Sequence, residues 1–266
     1  MTFDLGPALL FCPADRPDRY AKAAERSDAV ILDLEDAVAA SDKAAAREAM
    51  VAYPLDPAST IVRVNAVDSG CFDDDLAALA RTDYRLVMLA KTESVDQLRR
   101  LDGFEVIALC ETAAGVVNVA PIAADSAVIA VMWGAEDLVA SLGGTSSRDA
   151  AGRYRAVALH ARSSMLLAAG AAGTAAIDSV YIDIPDHAGL ELEAQDARAS
   201  GFAATACIHP SQVVVIRDAY RPTAQELACA TAMLAAAEGQ RGVFRFEGRM
   251  VDEPVLRHAR SVLARS

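Results

Sequence analysis

Short apolar, β-branched runs recur about eight times along this 266-residue chain, each giving way to an Ala-rich stretch with helical spacing. The runs are Ala8 to Cys12, Ala29 to Leu34, Thr60 to Asn65, Leu86 to Ala90, Val106 to Cys110, Ala127 to Trp133, Val180 to Ile184 and Ala204 to Ile208. Between them, stretches such as Asp18 to Arg26, Lys43 to Val51, Asp74 to Arg81, Ser94 to Leu101 and Tyr154 to Ala169 carry strong helix formers in amphipathic order. Strand and helix alternating this often implies a parallel sheet. About eight repeats favour closure into an α/β TIM (β/α)₈ barrel over an open doubly wound sheet, and the length is close to the ~250 residues usual for that fold.

No Pro- or Ser-rich linker divides the first 210 residues, so one barrel domain is expected over residues 1–220. Beyond it the pattern changes. Ser211 to Ala219 and Thr223 to Glu238 read as two helices, Gly239 to Arg249 is rich in glycine and arginine, and Val255 to Arg265 reads as a last short helix. Residues 221–266 are expected to form a C-terminal helical arm or lid against a neighbouring subunit.

Composition narrows the class of partner. Hydrophobic residues make up 53% of the chain, yet no apolar run approaches the ~18 residues of a spanning helix. No basic-then-apolar leader precedes Pro7, and a cytoplasmic location is expected. A formal net charge of -12 opposes nonspecific attraction to nucleic acid or anionic membrane, so any anionic ligand must be met by local basic residues. The five cysteines, Cys12, Cys71, Cys110, Cys207 and Cys229, lack close pairs, which fits a reducing compartment and disfavours a zinc site.

In a (β/α)₈ barrel the chemistry sits on the loops that follow the strands, and here those loops carry charge. Arg16, Arg19 and Lys22 follow the first run, Asp33, Glu35 and Asp36 the second, Arg63 and Asn65 the third, Lys91 and Glu93 the fourth. Glu111 ends the fifth, Glu136 and Asp137 the sixth, Asp183 and Asp186 the seventh, and His209 the eighth. Glu111 and Asp137, at the ends of neighbouring strands, are hard oxygen ligands suited to Mg²⁺ with its other positions left to water and substrate. The alternative is that both acids cap the helices that follow them. An Arg63 pointing inward needs acidic partners, because an unpaired buried guanidinium is prohibitive, and Glu35, Asp36 and Glu111 are available to it. Lys91 and His209 have a plainer reading as local partners of acids or carbonyls, and Arg16, Arg19 and Lys22 one as a solvated face.

Nucleotide loops, a nucleophile elbow and the zinc-protease helix motif are all absent from the sequence. Gly143-Gly144-Thr145-Ser146-Ser147 is expected to be a mobile lid rather than a nucleotide cradle. A Schiff base through Lys91 is chemically open, but the carboxylate pair argues for metal-assisted enolate chemistry.

Several stretches together carry a family likeness. They are Cys-Pro-Ala-Asp-Arg-Pro-Asp-Arg at 12 to 19, Asp-Leu-Glu-Asp-Ala-Val at 33 to 38, Val-Arg-Val-Asn at 62 to 65 and Lys-Thr-Glu-Ser at 91 to 94. To these add Glu-Thr-Ala-Ala-Gly at 111 to 115, Gly-Ala-Glu-Asp-Leu at 134 to 138, Ile-His-Pro-Ser-Gln at 208 to 212 and Gly-Arg-Met-Val-Asp-Glu-Pro at 248 to 254. From about Ala8 onward the chain resembles the citrate lyase β-subunit branch of the aldolase superfamily that also contains malyl-CoA and citramalyl-CoA lyases. It departs from the common pattern at Ala14, where glycine is usual, and at Ala90, where proline is usual.

The resemblance implies Mg²⁺ on Glu111 and Asp137 and substrate contacts from Arg63, with Glu35 and Asp36 orienting Arg63 and the water on the metal. It further implies that Phe11, Arg16 and Lys22 lie along a CoA thioester, with Ile208, His209 and Pro210 lining the same groove. Asp252 matches an acid contributed from an adjacent subunit, which implies a homo-oligomer, with a trimer favoured. The activity implied is cleavage of a 3-hydroxyacyl-CoA thioester such as malyl-CoA or citramalyl-CoA. Two alternatives stand beside it: a citryl lyase subunit acting on an acyl carrier partner, and a noncatalytic acyl-CoA binding barrel.

Overall fold

In the computed structural model, which describes residues 3–240 and 242–264, the apolar runs become eight parallel strands. They are β1 (Ala8–Pro13), β2 (Ala29–Asp33), β3 (Thr60–Val64), β4 (Leu86–Leu89), β5 (Glu105–Leu109), β6 (Val128–Met132), β7 (Ala175–Asp178) and β8 (Ala204–Cys207). Their order in the sheet is their order in the chain, and β8 pairs with β1 to close the barrel. Closure leaves no edge strand to template aggregation.

Side-chain alternation then divides each strand between two environments. Leu9, Ile31, Ile61, Met88, Ile107, Leu109, Ala130, Met132, Ile177, Ala204 and Ala206 fill the interior, and all are buried. Each large aliphatic side chain removed from water in this way contributes about 1.5 to 3 kcal/mol before conformational entropy is subtracted. The intervening residues, such as Leu10, Leu32, Val62 and Val131, face outward and are equally buried. Burial on both faces is why these strands read as continuous apolar runs rather than alternating ones.

The crossovers supply α1 (Pro17–Arg26), α2 (Lys43–Ala52), α3 (Phe72–Leu79), α4 (Val95–Leu98), α5 (Ala113–Val117), α6 (Val119–Ala123), α7 (Ala135–Ser141), α8 (Ala156–Ala172) and α9 (His187–Ser200). α10 (Pro210–Tyr220) follows the last strand. Among the described residues no helix is long and apolar enough to cross a membrane.

One expected strand is displaced. Val180–Ile184 is loop, and the seventh strand is Ala175–Asp178, immediately after α8. β-Branched content pointed to the later run, but β7 needs only Ile177 inside, where it packs with small neighbours such as Ala130 and Ala204. Asp178, on the outward side, is kept buried by partners remote in sequence. Trp133 donates to it at 2.7 Å and Arg162 of α8 at 2.8 Å. Asp186 accordingly caps α9, accepting from Gly189 N at 2.9 Å, and Asp183 is exposed.

The chain divides into two compact units, residues 1–219 and 220–266. In the second, α11 (Ala224–Ala237) starts with a capping box between Thr223 and Glu226, and α12 (Glu253–Ala264) packs along α11. The glycine- and arginine-rich segment between them holds an antiparallel hairpin, β9 (Phe244–Phe246) and β10 (Arg249–Val251), absent from the sequence reading. Its two-residue turn places Glu247 at φ 44° and Gly248 at φ 81°, the double left-handed conformation that suits a tight hairpin.

Candidate active site

The alternation that fills the barrel also chooses what faces its mouth. Two residues beyond an interior position, at the C-terminal ends of the strands, come Phe11, Asp33, Arg63, Glu111, Gly134, Ser179 and Ile208, and all of them line one cavity of about 240 Å³. Asp36, Glu136 and Asp137 complete its acidic side.

Arg63 is the centre of this arrangement. Its Nε and Nη2 donate to the two oxygens of Asp33 at 2.7 and 2.6 Å, and Nη1 lies 3.2 Å from Glu35 Oε2. The ring of Phe11 packs 4.9 Å from the guanidinium carbon. A planar fork held at both prongs and stacked on one face has one orientation open to it, and its remaining N–H groups are left for ligand oxygens. Asp33 is thus the main partner of Arg63. Asp33 is not among the acids expected beside Arg63; of those that are, Glu35 does pair with it, whereas Asp36 pairs with Lys91, at 3.2 Å. Alternation contained the missing signal, since Ile31 faces inward and Asp33 is two residues on.

Glu111 is buried, and the backbone N–H of Lys91 donates to its Oε1 at 3.2 Å. Burial, reinforced by the nearby Asp137, pushes its carboxyl up to about 8 against the opposing pull of Arg63 and Lys91. It does not cap the next helix, because the side chain of Thr112 does so by accepting from Gly115 N. Asp137 lies in the first turn of α7, where its charge suits the helix start although it does not cap it, and it is about one-third exposed and lines the cavity. Gly134 makes the pairing possible: a Cβ there would fall 2.6 Å from Glu111 Oε2. Glu111 and Asp137 together offer a hard divalent cation oxygen ligands, with the rest of the cavity free for water and a chelating substrate.

The lysine on the neighbouring loop joins this cluster. Lys91 Nζ bonds Glu35, bonds Asp36 and lies 3.6 Å from Asp137. Burial acts to raise the Glu35 carboxyl, with Arg63 and Lys91 opposing it. Lys91 is held well above the ordinary lysine range by Glu35, against its own desolvation. An amine held in its charged form is no Schiff-base nucleophile.

Of the remaining expected ligand residues, only Ile208 lines the cavity, and it is 39% exposed. His209 is exposed, with Nδ1 2.8 Å from Ser211 Oγ; Pro210 begins α10. Arg16 is half-exposed and engaged by Asp18 at 2.8 Å, and Lys22 is exposed on α1. Asp252 belongs to the second unit, at the start of α12, where Val255 N donates to it at 3.4 Å. The expected lid at Gly143–Ser147 is exposed except at its last residue, where Ser147 is buried and donates to Glu136 at 2.5 Å. Arg148, beside it, stacks 3.7 Å from the ring of Tyr154 and pairs with Glu193.

A closed parallel barrel whose mouth combines a clamped arginine with buried and half-buried carboxylates has the arrangement of a (β/α)₈ enzyme. Comparison with known proteins specifies the class. Residues 8–210 match the family model described as HpcH/HpaI aldolase/citrate lyase. The chain is 56% identical over 261 residues to a citrate lyase subunit beta-like protein of Mycobacterium tuberculosis, covering 98% of this chain and 96% of that one. It is 31% identical over 290 residues to the mitochondrial citramalyl-CoA lyase of Homo sapiens, covering 96% and 84%. The M. tuberculosis protein CitE, in a crystal structure with magnesium, acetoacetate and coenzyme A, superposes with a TM-score of 0.95 at 56% identity, covering 98% and 97% of the two chains. The chain belongs to the HpcH/HpaI aldolase/citrate lyase family, and it is a carbon–carbon lyase.

Proposed function

We propose that this chain is a Mg²⁺-dependent lyase that reversibly cleaves a 3-hydroxyacyl-CoA thioester, such as citramalyl-CoA or malyl-CoA, into acetyl-CoA and a 2-oxo acid. The observation that carries the reading is the clamped Arg63 lining the same cavity as Glu111 and Asp137. A relative of 56% identity crystallised with magnesium, acetoacetate and coenzyme A supports it, as does the likeness to a citramalyl-CoA lyase.

The donor set fits Mg²⁺. Asp33, Glu35, Asp36, Glu111 and Asp137 bring five acidic side chains against the two cations Arg63 and Lys91, an excess of acids that a divalent ion would partly offset. Among the described residues no group of three or more His, Cys, Asp and Glu side chains is arranged as a metal cage. Mg²⁺ does not require one, because it is commonly held by one or two carboxylates and keeps positions for water and substrate. Glu111 and Asp137 would hold it, and Gly134 leaves the room Glu111 needs.

When bound, the ion supplies positive charge that stabilises the substrate carboxylate and the oxygen of its hydroxyl. Arg63 binds the same oxygens through the N–H groups Asp33 leaves free, and its charge is worth most where negative charge grows as the carbon–carbon bond breaks. Glu35, joined to both Arg63 and Lys91, keeps that cation aimed and limits its freedom to reorganise. The substrate hydroxyl loses its proton to a basic group as it becomes the 2-oxo carbonyl, and the electron pair of the broken carbon–carbon bond passes to the thioester enolate. The enolate carbon takes a proton, so none is gained or lost overall. Asp252 of the partner subunit is the acid assigned to that step, in a homo-oligomer, with a trimer favoured. Phe11, Arg16, Lys22 and the Ile208–Pro210 rim are assigned to the CoA portion.

The test is incubation of the purified protein and Mg²⁺ with malyl, citramalyl and citryl thioesters of CoA, with acetyl-CoA plus 2-oxo acids for the reverse direction. Turnover of a free CoA ester supports the proposal. Turnover restricted to carrier-linked citryl thioester would assign the chain to a citrate lyase complex instead, and no turnover with any of them would leave a binding barrel.

A further inference from the structure

Lys91 meets the cavity twice, by two different parts of the residue. It follows β4 with φ 51°, a left-handed conformation that costs a non-glycine residue on the order of 1 to 2 kcal/mol. From there its backbone N–H donates to Glu111 Oε1 at 3.2 Å, and its ammonium bonds Glu35 and Asp36 and lies 3.6 Å from Asp137. One residue therefore contacts both carboxylates assigned to the metal. The two contacts have opposite consequences. A neutral N–H on Oε1 orients Glu111 and leaves Oε2 available, whereas a full positive charge beside Asp137 repels any other cation that Asp137 would bind.

We propose that Lys91 is a positioning residue that acts as the internal counter-ion of this site: its ammonium and the divalent cation compete for Asp137. Metal entry then breaks the longest of the three ammonium contacts and keeps the two to Glu35 and Asp36. Glu35 also pairs with Arg63, so the lysine remains as a strut on the acid that aims the arginine. The backbone contact to Glu111 is independent of the side chain and persists throughout. This inference rests on the assignment of Glu111 and Asp137 to Mg²⁺ made above.

Two measurements on the full-length protein test it. The first is calorimetric titration of Mg²⁺ into the unsubstituted chain, Lys91→Met and Lys91→Arg. Lys91→Met, which keeps the stem and loses the charge, binds Mg²⁺ about threefold tighter or more, and Lys91→Arg stays closer to the unsubstituted chain. Equal or weaker Mg²⁺ binding by Lys91→Met would overturn the competition while leaving the metal site in place. Failure of the unsubstituted chain to bind Mg²⁺ would overturn the metal assignment and the competition together. The second measurement needs no variant. The chain has three lysines, Lys22, Lys43 and Lys91, so reductive methylation read by peptide mass spectrometry follows Lys91 directly, with exposed Lys22 as the reference. Mg²⁺ raises the labelling rate of Lys91 relative to Lys22, and an unchanged or lower ratio would overturn the proposal even if Lys91→Met failed to fold.

Discussion

Asp33, the last residue of β2, grips Arg63 of β3 by both prongs of its guanidinium, at 2.7 and 2.6 Å. The two residues are register partners on adjacent strands, so the pair is built into the barrel wall. Both are buried, and burial holds the arrangement to a single geometry.

Replacing Asp33 with alanine leaves a buried guanidinium short of its main partner. The expected cost is about 3 to 5 kcal/mol of unfolding free energy, read from urea denaturation, with turnover lowered about a hundredfold or more because Arg63 loses its aim. A variant with unchanged turnover would show that Arg63 needs no clamp.

Gly134→Ala tests the close approach of Glu111. A methyl group 2.6 Å from Glu111 Oε2 must displace the carboxylate, since Gly134 opens α7 and its backbone has little room to shift. Mg²⁺ affinity, measured by calorimetry, is expected to fall at least about tenfold. Circular dichroism of the barrel should stay near that of the unsubstituted protein.

The pH dependence of Mg²⁺ binding follows from Glu111. Its carboxyl is raised to about 8 chiefly by burial, so below that pH the metal-free group carries a proton that must leave before the oxygens can bind a cation. Affinity is therefore expected to rise with pH and to level off above about 8. The rise is at most about tenfold per pH unit, with release of up to one proton per ion, seen as a buffer-dependent binding enthalpy. Affinity that is flat between pH 6 and 8, on the order of ordinary assay conditions, would contradict the shift.

Asp178→Ala removes the partner shared by Trp133 and Arg162. The stability loss is expected to be about 3 kcal/mol or more, because Arg162 is left largely buried with Asp196 as its one ion-pair partner among the described residues. Trp133 is the chain's single tryptophan, so its fluorescence reports the change directly. Its indole N–H loses a 2.7 Å acceptor, and an emission maximum identical to that of the unsubstituted protein would mean the bond is not made in solution.

Much of this site was legible in the sequence because it depends on local pattern. An apolar run that stops at a charged residue marks a strand end, which makes Glu111 and Asp137 legible, and Arg63 stands out as a charge inside an apolar strand. Asp33 was passed over because the acids at 33, 35 and 36 look equivalent until the inward face of β2 is known. β7 was misplaced for a related reason. Propensity favours Val180–Ile184, whereas the barrel interior at that point accepts the small residues of Ala175–Asp178. The hairpin of the second unit was hidden by glycines and arginines that usually signal loop, although Glu247-Gly248 is a turn between Phe-Arg-Phe and Arg-Met-Val.

Hydrophobic periodicity and repeat count alone determined the eightfold alternation, the parallel barrel and the end of it that carries the chemistry, because those follow from which residues avoid water. Tertiary structure alone decided which acid clamps Arg63, how Lys91 turns back into the cluster and why Glu111 resists ionisation. These depend on distances between residues remote in the chain and on the water excluded from among them, and neither quantity is a property of any stretch of sequence.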